Sequence, residues 1–169
     1  MNKIIICVGI SGSGKSTWST NYIRENPNTL RINRDDIRKT LVGSLDGYYQ
    51  KKDLNNIEII INKIEECFFH EITDFHSKSV IIDNTNLKQS YINRWINLAK
   101  FDNFSVEFKL FDISLEEAKE RVLDRDNCYQ WSEMLNKEEY TKYIDKQFEQ
   151  YKSIKQYLLT YHADQIIYE

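Results

Sequence analysis

The sequence predicts an α/β fold built on a central parallel sheet of about five strands. Two observations lead there: short apolar runs alternate with longer stretches of helical periodicity, and a glycine-rich turn joins the first run to the first helix. Strands covered by helices on both faces read as unbroken apolar runs. Their crossovers are right-handed, and functional residues collect outside the carboxyl ends of the strands.

Lys3-Ile4-Ile5-Ile6-Cys7-Val8 is the first such strand, and the glycine turn follows it. Lys15 to about Glu25 reads as a helix that stops before Pro27. A short strand around Thr29–Ile32 leads into Asn33-Arg34-Asp35-Asp36-Ile37-Arg38, where Asn and the acidic residues mark a helix start. Gly43, Ser44, Asp46 and Gly47 make residues 43–50 a loop. Ile57, Ile60, Ile61, Ile64, Phe68, Ile72 and Phe75 recur at helical spacing, so residues 54–78 form one long helix or two in series. Ser79-Val80-Ile81-Ile82 is another buried strand, closed by Asp83-Asn84-Thr85-Asn86. A helix over 89–100 and a strand over 106–111 come next. A helix over 115–123, a polar segment, a helix over 137–159 and a strand at 166–168 complete the chain.

The chain has 169 residues, which suits one domain over 1–169 and leaves no room for a second. Its 41% hydrophobic and 29% charged residues suit a soluble globular protein. No stretch approaches the roughly 20 apolar residues of a membrane span. Met-Asn-Lys runs straight into a strand, so no signal peptide and a cytoplasmic location are expected. Cys7, Cys67 and Cys128 are widely spaced, which argues for buried or inert thiols over zinc or disulfides. His70, His76 and His162 lack metal-ligand spacing. The net charge of −3 exerts no global pull on nucleic acid, so such a substrate needs a local basic patch.

The turn reads Gly9-Ile10-Ser11-Gly12-Ser13-Gly14-Lys15-Ser16, a complete Gly-x-x-x-x-Gly-Lys-Ser phosphate-binding loop between strand and helix. Gly12 and Gly14 let backbone N–H groups close on phosphate oxygens, and the helix N-terminus adds its dipole. Lys15 reaches the β- and γ-phosphates of ATP, and the Ser16 hydroxyl ligates Mg²⁺. Gly9, Ser11, Ser13 and Thr17 complete the nucleotide-binding set.

Asp35 and Arg38 lie three apart at a helix start and so share a face. A carboxylate there can accept the proton of an attacking hydroxyl, and an arginine can hold an acceptor phosphate in a bidentate fork. From spacing alone, capping by Asp35 with a surface ion pair to Arg38 explains the pattern as well; capping also suits Asp36. Asp83 ends an apolar strand, where a Walker-B-type acid holds the Mg²⁺ shell, although Asp-Asn-Thr-Asn is also a turn sequence. Arg121 and Arg125 are spaced as lid arginines, but Glu116, Glu117, Glu120 and Asp124 around them equally suggest a solvated face. Tyr48, Tyr49, Lys51 and Lys52 could grip a polynucleotide or simply form a loop. The aromatic stripe on the last long helix reads as core packing.

Taken together, these stretches resemble the kinase module of the 5′-polynucleotide kinase family, the phage and bacterial end-healing enzymes. They are Gly9 to Trp18, Ile32-Asn33-Arg34-Asp35-Asp36-Ile37-Arg38, Ile81-Ile82-Asp83-Asn84-Thr85-Asn86-Leu87, and Phe111-Asp112 with Arg121 and Arg125 beyond. The resemblance implies an adenylate-kinase-like P-loop NTPase, a three-layer sandwich with a helical lid. It further implies transfer of the ATP γ-phosphoryl group to a 5′-hydroxyl end of DNA or RNA. Lys15 and Ser16 would bind ATP and Mg²⁺, Asp35 would be the general base, Arg38 would bind the acceptor phosphate, and Arg125 would be the lid arginine. Some members place the strand-end acid one residue later, at Asn84 here, so Asp83 must serve or the metal shell differs. The phage enzymes carry a further phosphatase domain; a separate phosphatase or ligase would act beside this chain. The competing expectations are a nucleoside or small-molecule kinase on the same scaffold, which the sequence pI of about 5.7 favours slightly, and a P-loop switch module. A switch module needs neither an acceptor base nor an acceptor-phosphate clamp.

Overall fold

Strand β1 (Lys3–Val8) is buried on both faces because strands flank it on either side and helices cover it above and below. In the computed structural model, which describes residues 2–45, 52–74, 79–124 and 137–167, β1 sits between β3 (Ser79–Ile82) and β4 (Ser105–Leu110). The edges are β2 (Thr29–Ile32) and β5 (Ile166–Ile167), giving a five-stranded sheet of order β2-β3-β1-β4-β5. The four strand pairings among the described residues are parallel, and Ile4 stands opposite Val80 on one side and Val106 on the other.

The pleat sends alternate side chains of β1 to opposite layers. Ile5 and Cys7, with Ile81, pack against Trp18, Tyr22 and Ile23 of α1 (Lys15–Glu25). Ile4, Ile6 and Val8 face the larger core. That core takes Ile61 and Phe69 from α3 (Leu54–Asp74) and Ile92, Trp95 and Ala99 from α4 (Gln89–Phe101). Ala118 and Val122 of α5 (Leu115–Leu123) and Ile144, Tyr151 and Leu158 of α6 (Lys137–Tyr161) complete it. Each fully buried isoleucine contributes about 1.5–3 kcal/mol, so the inner strands and these helix faces hold the domain together.

Helix α2 (Arg34–Val42) corrects one expectation. Its N-cap is Asn33, whose side chain accepts the Asp36 N–H at 2.9 Å, so neither Asp35 nor Asp36 caps it. Asp36 instead accepts from Arg31 at 2.6 Å. Gly43, at φ +81°, ends the helix. The long helix ends at Asp74 among the described residues, β4 lies one residue earlier than expected, and α6 runs two residues further. Phe68, placed on the apolar stripe by its spacing, is half exposed. Cys7 is buried as expected, whereas Cys67 is exposed. The expected lid with Arg125, the loop with Tyr48, Tyr49 and Lys51, Cys128, His76 and Tyr168 lie outside the described residues.

Candidate active site

The glycine loop leaves β1 and turns into α1 at the carboxyl edge of the sheet. Gly12 and Gly14 have φ of +84° and +92°, where a side chain is strained. A Cβ on Gly12 would also lie 2.8 Å from the Ala118 carbonyl oxygen, so this glycine lets the loop seat against α5. The Gly9 N–H donates to the Thr85 carbonyl at 3.2 Å, and the Asn86 amide donates to the Cys7 carbonyl at 2.8 Å. The loop is thereby tied to the segment after β3. Helix α1 starts at Gly14 with no side-chain cap and no acidic residue in its first turn, which leaves a positive helix end suited to an anion. Buried Lys15 folds over the loop and donates from Nζ to the Ile10 carbonyl at 2.6 Å.

Asp83 follows β3 and is almost fully buried beside this loop. Its Oδ2 accepts from Ser19 Oγ at 3.0 Å, from Arg31 Nε at 2.8 Å and from Arg31 Nη2 at 2.6 Å. The other oxygen, Oδ1, is buried with no hydrogen-bond partner among the described residues. A buried carboxylate oxygen left unpaired is costly, and a hydrated cation at the loop would satisfy it. The donor set therefore fits Mg²⁺, with Ser16 and Asp83 as the residues that would hold it. The Asn84 side chain is engaged on both ends: it accepts the Arg34 backbone N–H at 2.9 Å and donates to Glu65 at 2.9 Å. Burial and the neighbouring Asp83 charge both push the Cys7 thiol well above its ordinary range, so it stays a neutral core group.

On the far side of the cleft, Asp35 accepts from Arg38 Nη1 at 2.6 Å. Arg38 also donates to Glu58 of α3, and Arg34 reaches Glu58, Asn62 and Glu65. Burial works against the Arg38 charge, but Asp35 and Glu58 outweigh it and keep the group firmly protonated. Arg94 of α4 donates to Glu65 at 2.9 Å, closing an arginine–carboxylate network along the wall of the cleft. A cleft of about 420 Å³ joins the two halves and is lined by Lys15, Ser16 and Asp83 together with Asp35 and Arg38.

From α6, Gln147 accepts the Ser11 N–H at 2.8 Å. Arg121 of α5 directs Nη1 towards the Gly12 carbonyl at 3.5 Å while Nη2 pairs with Glu117 at 2.6 Å. Of the predicted site residues among those described, Ser11, Gly12, Gly14, Lys15, Ser16, Thr17, Asp35, Arg38 and Asp83 line the one cleft, whereas Gly9, Ser13 and Arg121 are not part of its lining. The structure leaves Lys52 exposed and outside the cleft lining. The His70 ring meets Asp102 at 3.0 Å on the surface of α3 and α4.

Residues that sequence reading did not single out are Arg31, Glu58, Glu65, Arg94 and Gln147. Glu58, Asn62 and Glu65 recur at helical spacing and so share one face of their helix, a spacing legible in the sequence. Gln147 carried no local signal, since its partner lies 136 residues away.

Comparison with known proteins bears on this geometry. A family model described as an AAA domain matches residues 4–151. A putative bifunctional polynucleotide kinase/RNA ligase of Autographa californica nuclear polyhedrosis virus is 30% identical over 152 residues, covering 84% of this chain and 21% of the relative. Among solved structures, a chain in the Pnkp1/Rnl/Hen1 RNA repair complex superposes with a TM-score of 0.70 at 27% identity, over 92% of this chain and 45% of that one. Shikimate kinase from Bacteroides thetaiotaomicron superposes with a TM-score of 0.56 at 15% identity, over 87% of this chain and 78% of that one, a likeness of fold alone. The chain thus spans about a fifth of the curated relative and under half of the first structural one. The fold is that of P-loop kinases, which implies nucleotide binding at the glycine loop. No described helix is long and apolar enough to cross a membrane.

Proposed function

The chain belongs to the AAA domain family of P-loop proteins, and from that premise we propose that it is an ATP-dependent polynucleotide 5′-hydroxyl kinase. One observation carries the proposal: Asp35 and Arg38 line the same cleft as Gly12, Gly14 and Lys15, an arrangement that suits a donor and an acceptor meeting in it. The name of the viral relative and the RNA repair complex support a nucleic-acid end as the acceptor.

In this reading the backbone N–H groups of the loop and the Lys15 ammonium hold the triphosphate. Arg121, and Arg125 beyond it, neutralise charge on the transferring group. Arg38 holds the phosphate that follows the first nucleoside of the acceptor. Asp35 accepts the proton of the 5′-hydroxyl as that oxygen bonds to the γ-phosphorus and the bond to the β–γ bridging oxygen breaks, releasing ADP. Mg²⁺, when bound near Ser16 and Asp83, supplies charge neutralisation on the phosphates. Residues 1–169 act as a single kinase domain, and cytoplasmic residence is part of the same reading. The 5′-phosphate product is the substrate a ligase requires, so ligase and phosphatase activities, elsewhere in a longer polypeptide or in other proteins, belong beside it.

The test is transfer of label from γ-labelled ATP, with Mg²⁺, to a 5′-hydroxyl oligonucleotide. Single-stranded DNA, single-stranded RNA, nicked duplex and free nucleosides are the compared acceptors. Asp35→Asn should lower kcat by about 10²–10⁴, the range for a lost general base. Its KM for ATP should stay within about twofold. Label appearing only on nucleosides or other small molecules overturns the reading.

A further inference from the structure

The fork of Arg38 that an acceptor phosphate would use is already taken. Arg38 Nε and Nη2 donate to Glu58 Oε1 at 3.0 and 2.9 Å, and Nη2 also reaches Oε2 at 3.1 Å. Arg34 approaches the same carboxylate from its other side, with Nε and Nη2 at 3.1 and 2.7 Å from Oε2. A carboxylate gripped by two guanidinium groups imitates the geometry of a bound phosphate. Glu58 lines the cleft and keeps 30% of its side chain exposed, so it can swing towards solvent.

Glu65, one layer deeper, differs. Its side chain has no exposure, and it accepts from Arg34 Nη1 at 2.6 Å, Arg94 Nη1 at 2.9 Å and Asn84 Nδ2 at 2.9 Å. When Glu58 leaves, Arg34 therefore keeps a buried counter-charge, and Arg38 keeps Asp35 at 2.6 Å. The guanidinium edge exposed by its departure is the one that a phosphodiester can fill.

We propose that Glu58 is a specificity-determining residue that holds the Arg38 fork until a phosphodiester on the acceptor displaces it. This rests on the kinase reading above, in which Arg38 holds the acceptor phosphate, and adds Glu58 as the group that this phosphate must displace. A nucleoside has nothing to exchange for the carboxylate, so it meets an occupied clamp. A strand with a phosphodiester exchanges one anion for another.

The experiment compares wild type with Glu58→Gln in steady-state kinetics, on a 5′-hydroxyl oligonucleotide and on the same oligonucleotide with an uncharged methylphosphonate at its first linkage. Removing the competing charge should lower KM for the natural oligonucleotide about fivefold, the factor corresponding to a partly exposed ion pair. KM for the methylphosphonate acceptor and for ATP should not move. Glu58→Ala should shift the natural acceptor in the same direction, and direct binding of that oligonucleotide, read by fluorescence anisotropy, should tighten in both variants. An unchanged or raised KM in Glu58→Gln, or an equal fall for both acceptors, overturns the proposal, because Glu58 would then only hold Arg38 in place. If wild type phosphorylates no 5′-hydroxyl strand, the kinase reading itself falls and takes this one with it. An active wild type with an unresponsive Glu58→Gln sinks this proposal alone.

Discussion

Replacing Arg31 with methionine removes the cation from a nearly buried carboxylate while roughly keeping the side-chain volume. Arg31 reaches Asp83 Oδ2 through Nη2 at 2.6 Å and Nε at 2.8 Å, and the Asp83 side chain has no exposure. After the change, Oδ2 keeps Ser19 Oγ at 3.0 Å and a long contact from Asn33 at 3.3 Å, but no counter-charge from Arg31. Breaking a buried pair by removing one partner costs about 3–5 kcal/mol, and the 20% exposure of Arg31 favours the lower end, about 3 kcal/mol. With a urea slope of about 2 kcal/mol per molar, the unfolding midpoint should fall by about 1.5 M. Asp36→Asn is the control: that pair is short but half exposed, so it should cost about 1 kcal/mol at most. Adding Asp83→Asn to Arg31→Met should recover part of the loss, because the orphaned charge disappears with it. The assay is equilibrium unfolding in urea, followed by circular dichroism without nucleotide. A fall below about 0.5 M in Arg31→Met with an unchanged slope would refute the argument. It would mean that Asp83 finds water or a proton at little cost.

Two further outcomes follow from the loop and the core. Gly12→Ala combines a left-handed φ with a Cβ 2.8 Å from a backbone oxygen of α5, so it should cost about 2–4 kcal/mol and weaken ATP binding. Urea unfolding and nucleotide titration check it, and a stable variant that binds ATP normally would show that the loop can move away from α5. In the native protein near pH 8, iodoacetamide should modify exposed Cys67 and leave Cys7 intact until the chain is unfolded. The reactive species is the thiolate, and burial beside Asp83 holds the Cys7 thiol neutral well into alkaline solution. Peptide mapping by mass spectrometry reads both sites, and rapid native labelling of Cys7 would contradict its burial.

How far the site was legible depended on how local its partners are. The glycine loop, a run of eight consecutive residues after an apolar strand, could be read directly; the acid at the end of β3 could be located, with a metal role and turn formation both open. Asp35 and Arg38 could be placed on one face, yet spacing alone left catalysis and capping level. Asn33 proved to be the cap, which frees Asp35 for its 2.6 Å contact with Arg38 at the cleft. Asp36 was misread because its shortest contact, 2.6 Å to Arg31, comes from the preceding strand, while Lys39 of its own helix lies further off at 3.7 Å. The apolar stripe of α3 located that helix, but not the adjoining row of Glu58, Asn62 and Glu65 that holds Arg34.

By itself the sequence determined the donor side and the layer architecture. A phosphate loop is built from neighbouring backbone groups, and a doubly covered parallel sheet announces itself by unbroken apolar strands. Only the tertiary structure decided which carboxylate each arginine meets. Arg31, Arg34, Arg38 and Arg94 could each have paired with several acids, and the choice depends on where α3 and the end of β3 lie against α2 and α4. Side-chain charges act over a few ångströms, whatever the number of residues between them. The order of the chain therefore says little about them until the sheet has folded and brought the ends of its strands together.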